Sequence, residues 1–349
     1  VITSLATVIA LGLALPSSAP AELPSPDAHE RAMMAAVVDD KAPEVLLNIR
    51  KENYNEHYLA GNEEHMELFY APLKDLGGVY AGVGTDQAYF FMGWMKAKFA
   101  FLTDYDPWVK HIHQVYAVLF KHAKTPDEFR VMWSKRKRKL TLKLLKEAGL
   151  SKGTINIYKW GRYLVARRLI LQRKYFLKKH PNVPTFLTDQ AQYDYVRNMV
   201  VQGRVRPMIG NLLDNRGMAS VARFCQLVGQ PLRAFYISNA EQYWPRYSAN
   251  FRTNIKAQWV DDKSLFVRTL ASQPQNGGFR YVVQPFKNFQ QFMDLKWARR
   301  VNVVVPRAKL KMGEFRLERL VIDPTVRKQQ WAKQLATMKR RKTKRLPAK

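Results

Sequence analysis

Short apolar runs that each break into a polar cluster constrain this chain most. Val79 to Val83 follows Gly77-Gly78 and ends in Gly84-Thr85-Asp86-Gln87, and Phe99 to Leu102 ends in Thr103-Asp104-Tyr105-Asp106-Pro107. Between them, Gln87 to Lys98 has helical length, with Phe90, Phe91 and Trp94 spaced for one face. The pattern returns later: Asp194–Gln202 reads as helix, Val205–Leu213 as strand, Gly217–Val228 as helix and Leu232–Ile237 as strand. Strands separated by helical stretches predict an α/β fold, a mainly parallel sheet with helices on both faces. Ser264–Leu270 and Arg280–Pro285 are two final strands. Gln275-Asn276-Gly277-Gly278 between them favours a tight reversal, which makes them antiparallel neighbours.

Charge is distributed unevenly over this frame. The 349 residues carry 58 Lys/Arg and 28 Asp/Glu, a net charge of +30. Residues 133–180 hold 16 basic residues and one acid, and residues 296–349 hold 18 and three, so the rest of the chain is balanced. Two basic modules are thus added to a neutral body. They suit an anionic polymer (nucleic acid or polysaccharide) or an anionic membrane surface, or they are solvated faces that serve solubility. The first module reads as a helical insertion over 125–184. Thr125-Pro126-Asp127-Glu128 is a helix start, and apolar residues over 155–179 recur at helical spacing. The second is a C-terminal extension over 296–349. A helix is expected from Trp108 to about Lys121, and residues 44–76 are helix-compatible, with Tyr54, Tyr58, Met66, Leu68 and Phe69 as packing residues. Hydrophobic residues at 47% exclude a disordered chain, and one cysteine, Cys225, excludes an internal disulfide framework.

The N-terminus reads as an address. Ile2 to Leu15 is nearly continuous apolar sequence, followed by Pro16-Ser17-Ser18 and the small-residue site Ala19-Pro20-Ala21. The expectation is a signal peptide over 1–21, cleaved after Ala21, and an exported chain, periplasmic or secreted, with no transmembrane span once mature. A buried N-terminal helix is the alternative. Residues 22–43, rich in Pro, Ala and Asp, read as a linker, and the α/β body as 44–295.

Four strand ends are expected to meet, because open parallel sheets bind ligands beyond the carboxyl ends of their strands. The first supplies Gly82, Gly84, Thr85 and Asp86, where glycine lets backbone approach a ligand. The second supplies Asp104 and Asp106, 20 and 22 residues after Gly84, about where a dinucleotide site places its ribose-binding acid. Asn211 and Asp214 end the third, and Ser238 and Asn239 the fourth. The same residues can serve locally: the glycines as a turn, Thr85 or Asp86 as a helix cap, and Asp104 and Asp106 as turn and cap before Pro107. His111, His113 and His122 share a helix without converging, so no metal is expected. Tyr158, Trp160, Tyr163 and Tyr175, interleaved with Arg, can stack bases, lie at a lipid interface or pack against helices.

The order of these phrases resembles the Rossmann-like class I S-adenosylmethionine-dependent methyltransferase superfamily. Gly82-Val83-Gly84-Thr85-Asp86-Gln87, Phe101 to Pro107 and Tyr236-Ile237-Ser238-Asn239-Ala240-Glu241 are similar, more narrowly, to an uncharacterised family of exported bacterial proteins on that fold. The resemblance covers roughly 54–292. It implies S-adenosylmethionine, with Gly82 and Gly84 near its methionine end, Asp104 or Asp106 on the ribose and Asn211 or Asp214 near the adenine. Ser238 and Asn239 would line the substrate. The chain departs from the superfamily at Asp86-Gln87, where a third small residue is usual, and it lacks the Asp/Asn-Pro-Pro-aromatic sequence of amino-methylating members. Two classes of function follow: methyl transfer, or a non-catalytic protein that holds a small nucleoside-like ligand or grips a polyanion or anionic lipid through its basic modules.

Overall fold

The computed structural model describes residues 23–46, 54–271, 278–308, 310–311 and 313–343. Residues 1–21, expected to be a signal peptide, and the Gln275–Gly277 part of the expected reversal lie outside the described residues. The strands are β1 (Val79–Gly82), β2 (Phe99–Asp104), β3 (Val205–Ile209), β4 (Leu232–Tyr236), β5 (Leu265–Ala271), β6 (Phe279–Pro285) and β7 (Leu317–Arg319). They form one sheet in the order β3-β2-β1-β4-β5-β6-β7. β1 to β5 are mutually parallel, β6 is antiparallel to β5, and β7 is parallel to β6. The fold is therefore Rossmann-like α/β.

Thirteen α-helical segments accompany the sheet among the described residues. They are α1 (Ala28–Ala36), α2 (Tyr70–Leu73), α3 (Gln87–Trp94), α4 (Pro107–His122), α5 (Pro126–Met132), α6 (Arg138–Glu147), α7 (Lys152–Lys179), α8 (Gln190–Val201), α9 (Gly217–Leu227), α10 (Ala249–Ala257), α11 (Phe286–Met293), α12 (Val301–Val304) and α13 (Pro324–Thr343). Strand side chains alternate between two cores. Tyr80, Leu102 and Tyr236 join α3, α4, α7 and α8 on one face. Val79, Ala81, Phe101 and Phe235 join α1, α9, α10 and α11 on the other. Helices thus cover both faces.

The basic insertion is helical and lies between β2 and β3. Thr125 caps α5 by accepting the Glu128 amide at 3.1 Å, and Pro126 fills the first helical position. Trp133, Tyr158, Val165, Leu169 and Phe176 are buried, and α7 packs along α4. The apolar spacing of the module is therefore a second layer over α4.

Four expectations need correction. The segment read as a linker holds α1, whose Asp27 and Glu30 form a reciprocal cap, with amide-to-carboxylate distances of 2.7 and 3.1 Å. Met34 and Val37 are buried on the α9 side. The Asp-x-x-Glu signal and the alanines outweigh the prolines around them. Residues 54–65 are irregular instead of helical, and Tyr54 and Tyr58 are exposed. Helix is confined to a 3₁₀ turn, Met66–Phe69, and to α2. β3 stops at Ile209, because Gly210-Asn211 leaves the sheet there. Finally, the segment expected as an extension from 296 takes part in the body. It supplies β7 and α12, and the fully buried Arg327 donates to the carbonyls of Val304 and Asn302 at 3.0 and 3.2 Å. Basic composition hid these elements, since one buried arginine satisfies a helix end as a cap does.

Candidate functional site

β1 leads outward to β2 and β3, and the chain then returns to place β4 on the other side of β1. The carboxyl ends of β1 and β4 therefore sit at a topological switch point. All four predicted strand tips meet there around a cavity of about 280 Å³, close to the lower bound of roughly 300 Å³ for small-molecule sites. The loop 56–63 crosses over the strand ends and closes the rest of the wall with residues near 43–46 and 243–244.

The first tip is held from behind. Gly84 has a left-handed backbone (φ +89°), a conformation costly for any residue with a Cβ. Its carbonyl accepts from His113 Nε2 at 2.9 Å, and His113 Nδ1 accepts from the Tyr89 hydroxyl at 2.9 Å. Burial pushes the His113 pKa down to about 4, so the ring is neutral, and the tautomer with hydrogen on Nε2 satisfies both bonds. Thr85 lines the cavity beside Gln87, whose Oε1 is buried with no hydrogen-bond partner among the described residues.

At the second tip, Asp104 accepts the amides of Gly84 and Asp106, each at 3.0 Å. Burial, reinforced by the Asp106 carboxylate and only partly offset by these amides, pushes the Asp104 pKa up to about 7. Asp106 caps α4 by accepting the Trp108 amide at 2.9 Å, and its other oxygen lies 2.9 Å from His57 Nδ1. The His57 ring stacks on Trp108 at 3.7 Å. Asp106 is therefore both a cap and part of the wall.

The third tip brings Asn211 to the wall, its amide donating to Asp40 Oδ2 at 2.9 Å. Asp40 also accepts the Gly217 amide at the start of α9, at 2.6 Å, and burial raises its pKa. The fourth tip brings Ser238 and Asn239. Ser238 is left-handed (φ +50°), an uncommon state for a residue with a Cβ, and its hydroxyl donates to Glu63 Oε1. Tyr236 donates to the same oxygen at 2.9 Å, and Gln87 Nε2 to the other at 3.4 Å. Glu63 thus gathers the first and fourth tips.

Three predicted residues stand outside the wall. Gly82 is packed under Tyr80, whose hydroxyl oxygen would lie 2.0 Å from an added Cβ. Asp214 turns away and accepts the Asn215 amide at 2.7 Å. Asp86 is fully buried behind the loop, where Oδ2 accepts from Arg168 Nε at 2.9 Å and Oδ1 from the Gly61 amide at 2.6 Å. Arg168 also donates to the Glu63 carbonyl at 2.7 Å. Burial opposes its charge, but Asp86 and Glu63 outweigh burial and hold its pKa above the ordinary value. The basic insertion thereby answers the negative charge of Asp86, so that charge does not enter the cavity.

Glu63 and Gly61 were missed by the sequence reading, because an irregular loop has no period that marks it. At Gly61 an added Cβ would lie 2.7 Å from Gln87 Oε1 and 3.0 Å from Asp86 Oδ1, so a larger residue would displace these side chains. The wall has an unexpected charge. Glu56, Glu63, Asp104 and Asp106 line it, and among the described residues no Lys or Arg does. A chain of net charge +30 thus keeps its cavity acidic. Among the described residues no group of His, Cys, Asp and Glu is placed to hold a metal ion. Cys225 is buried in α9, with its thiol pKa pushed up to about 12 by burial.

Sheet order and cavity define a Rossmann-like α/β protein with a ligand-sized hollow at its switch point. The chain belongs to the family described as Domain of unknown function (DUF7790), which matches residues 58–320. Among solved structures, an rRNA methyltransferase, aviRa from Streptomyces viridochromogenes, is similar at 11% identity. That match covers 64% of this chain and 86% of the other with a TM-score of 0.26, too low to carry an argument about function. No curated protein matches the chain.

Proposed function

We propose that the cavity binds a nucleoside-class ligand that is cationic or uncharged, with S-adenosylmethionine as the leading member of that class. The acidic wall at the switch point carries this reading. Carboxylates line the cavity and, among the described residues, no lysine or arginine does, which disfavours phosphorylated nucleotides and favours a sulfonium or ammonium group. The residues present fit such a ligand. Asp104 would accept ribose hydroxyls, and Gln87 Oε1, unpartnered among the described residues, would accept from an ammonium. When bound, the group would supply a methyl on sulfur that an acceptor nucleophile takes in line, leaving a neutral thioether. Ser238 and Asn239 would orient the acceptor, and Glu63 would take its proton.

S-adenosylmethionine at millimolar concentration is expected to raise the melting temperature by about 5 °C, whereas ATP and NAD leave it unchanged. Asp104→Ala removes the shift. Binding selects the ionised Asp104, so its pKa falls in the complex. Affinity therefore rises with pH until about 7, the value in the free chain, and is flat above it. Calorimetric titration between pH 5.5 and 8.5 reads this directly. No thermal shift in a folded sample removes the reading, and a shift without methyl release in the presence of acceptors leaves a binding protein.

Residues 1–21 belong to the same reading as a secretory signal removed after Ala21. The mass of the mature chain tests this: a start at Glu22 supports export, and an intact Val1 refutes it. Among the described residues no helix is long and apolar enough to cross a membrane.

A further inference from the structure

α7 is apolar on two sides. One side is buried on α4, and the other stands in solvent. Trp160, Tyr163, Leu164, Ile170, Leu171 and Leu177 recur at helical spacing along that outer side, with Trp160 64%, Tyr163 65% and Leu171 51% exposed. At 1.5 Å per residue the stripe is about 26 Å long. Arg167, Lys174 and Lys178 lie along it, and Lys159 stands beside Trp160. None of these four cations is paired with a carboxylate among the described residues; the ion pairs nearby are Arg130 and Arg173 with Asp127. Exposed apolar surface of this extent marks an interaction site.

We infer that the outer face of α7 docks on an anionic lipid surface. Aliphatic side chains and unpaired cations on one helix face suit the boundary between headgroups and acyl chains, where the apolar groups are buried and the long basic side chains reach lipid phosphates. A nucleic acid would stack on Trp160 and Tyr163, yet it would leave Leu164, Ile170, Leu171 and Leu177 without a role. A second copy of the chain would oppose Arg167 and Lys174 to their own kind across a twofold interface. The stripe begins beside the cavity. Trp160 lies 5.4 Å from Trp108, which stacks on the His57 ring that holds Asp106. The docking face rests on no property of the cavity, so either reading can fail without the other.

Flotation of the full chain with phosphatidylcholine vesicles, with and without about one-third phosphatidylglycerol, tests the inference. Binding to the anionic vesicles should exceed binding to neutral ones by about tenfold and weaken with salt. The double variant Leu164→Asn/Leu171→Asn should lose about tenfold of that binding at an unchanged melting temperature. Arg167→Glu/Lys174→Glu, at exposed positions, should abolish the preference for anionic lipid even if the leucine variant proves unstable. Equal binding by parent and both variants, or no vesicle binding, overturns the inference. So does a solution dimer that either variant dissociates, or tighter binding to single-stranded RNA lost in the same variants.

Discussion

Arg168→Met is expected to lower the unfolding free energy by about 3–5 kcal/mol, because it strands the Asp86 carboxylate in the protein interior. Asp86 is fully buried, and among the described residues its other oxygen accepts the Gly61 amide and the Thr85 hydroxyl. The methionine keeps the unbranched apolar stem but can donate to neither Asp86 nor the Glu63 carbonyl. Asp86→Asn in the same background should recover much of the loss, giving a coupling energy of roughly 2 kcal/mol. Urea unfolding of the two single variants and the double variant measures it. Simple additivity would show that the pair contributes no more than its separate parts. The ligand-induced thermal shift supplies a second readout. Arg168 fixes loop 61–63 against the start of α3, so its loss should weaken ligand binding even at temperatures where the variant is folded.

The second large effect lies under the fourth strand tip. Glu241 and Arg268 form an ion pair at 2.8 Å with neither side chain exposed. Burial raises the Glu241 pKa against the pull of Arg268 and the Tyr247 hydroxyl. Arg268 lies over the Phe266 and Phe289 rings and donates to Gln284 Oε1 at 3.0 Å. Arg268→Met should therefore cost about 3–5 kcal/mol by leaving a buried carboxylate unpaired. Its companion Glu241→Gln/Arg268→Met should be markedly more stable than the single variant, because a neutral amide can still accept from Tyr247. Thermal unfolding of parent, single and double variants decides the matter. A single-variant loss under about 1 kcal/mol would mean that water reaches the site.

Much of the frame is legible in the residues themselves. The short apolar runs Val79–Val83 and Phe99–Leu102, punctuated by Gly84 and Pro107, read as strands, and the strands form over Val79–Gly82 and Phe99–Asp104. The cap at Thr125 is read from four consecutive residues, and it forms where they stand. The strand-tip rule also places Thr85, Asp104, Asp106, Asn211, Ser238 and Asn239 on one cavity, although up to 154 residues separate them. Elsewhere the same local logic fails. Basic composition concealed β7 and α12, and prolines concealed α1, because these short elements depend on what they pack against more than on their own propensity.

By itself the sequence determined the central strands and their flanking helices, and so where the four strand tips gather, because periodicity and capping act over a few residues. Only the tertiary structure decided which carboxylates face the cavity. Asp86 and Asp104 look equivalent along the chain, yet Arg168 arrives from 82 residues away to pair with one and leaves the other on the wall. It also decided that Glu63 joins two tips from a loop without a pattern, and that one apolar side of α7 is buried while the other is left open. Charge pairing and burial depend on distance in space, and the fold alone sets that distance.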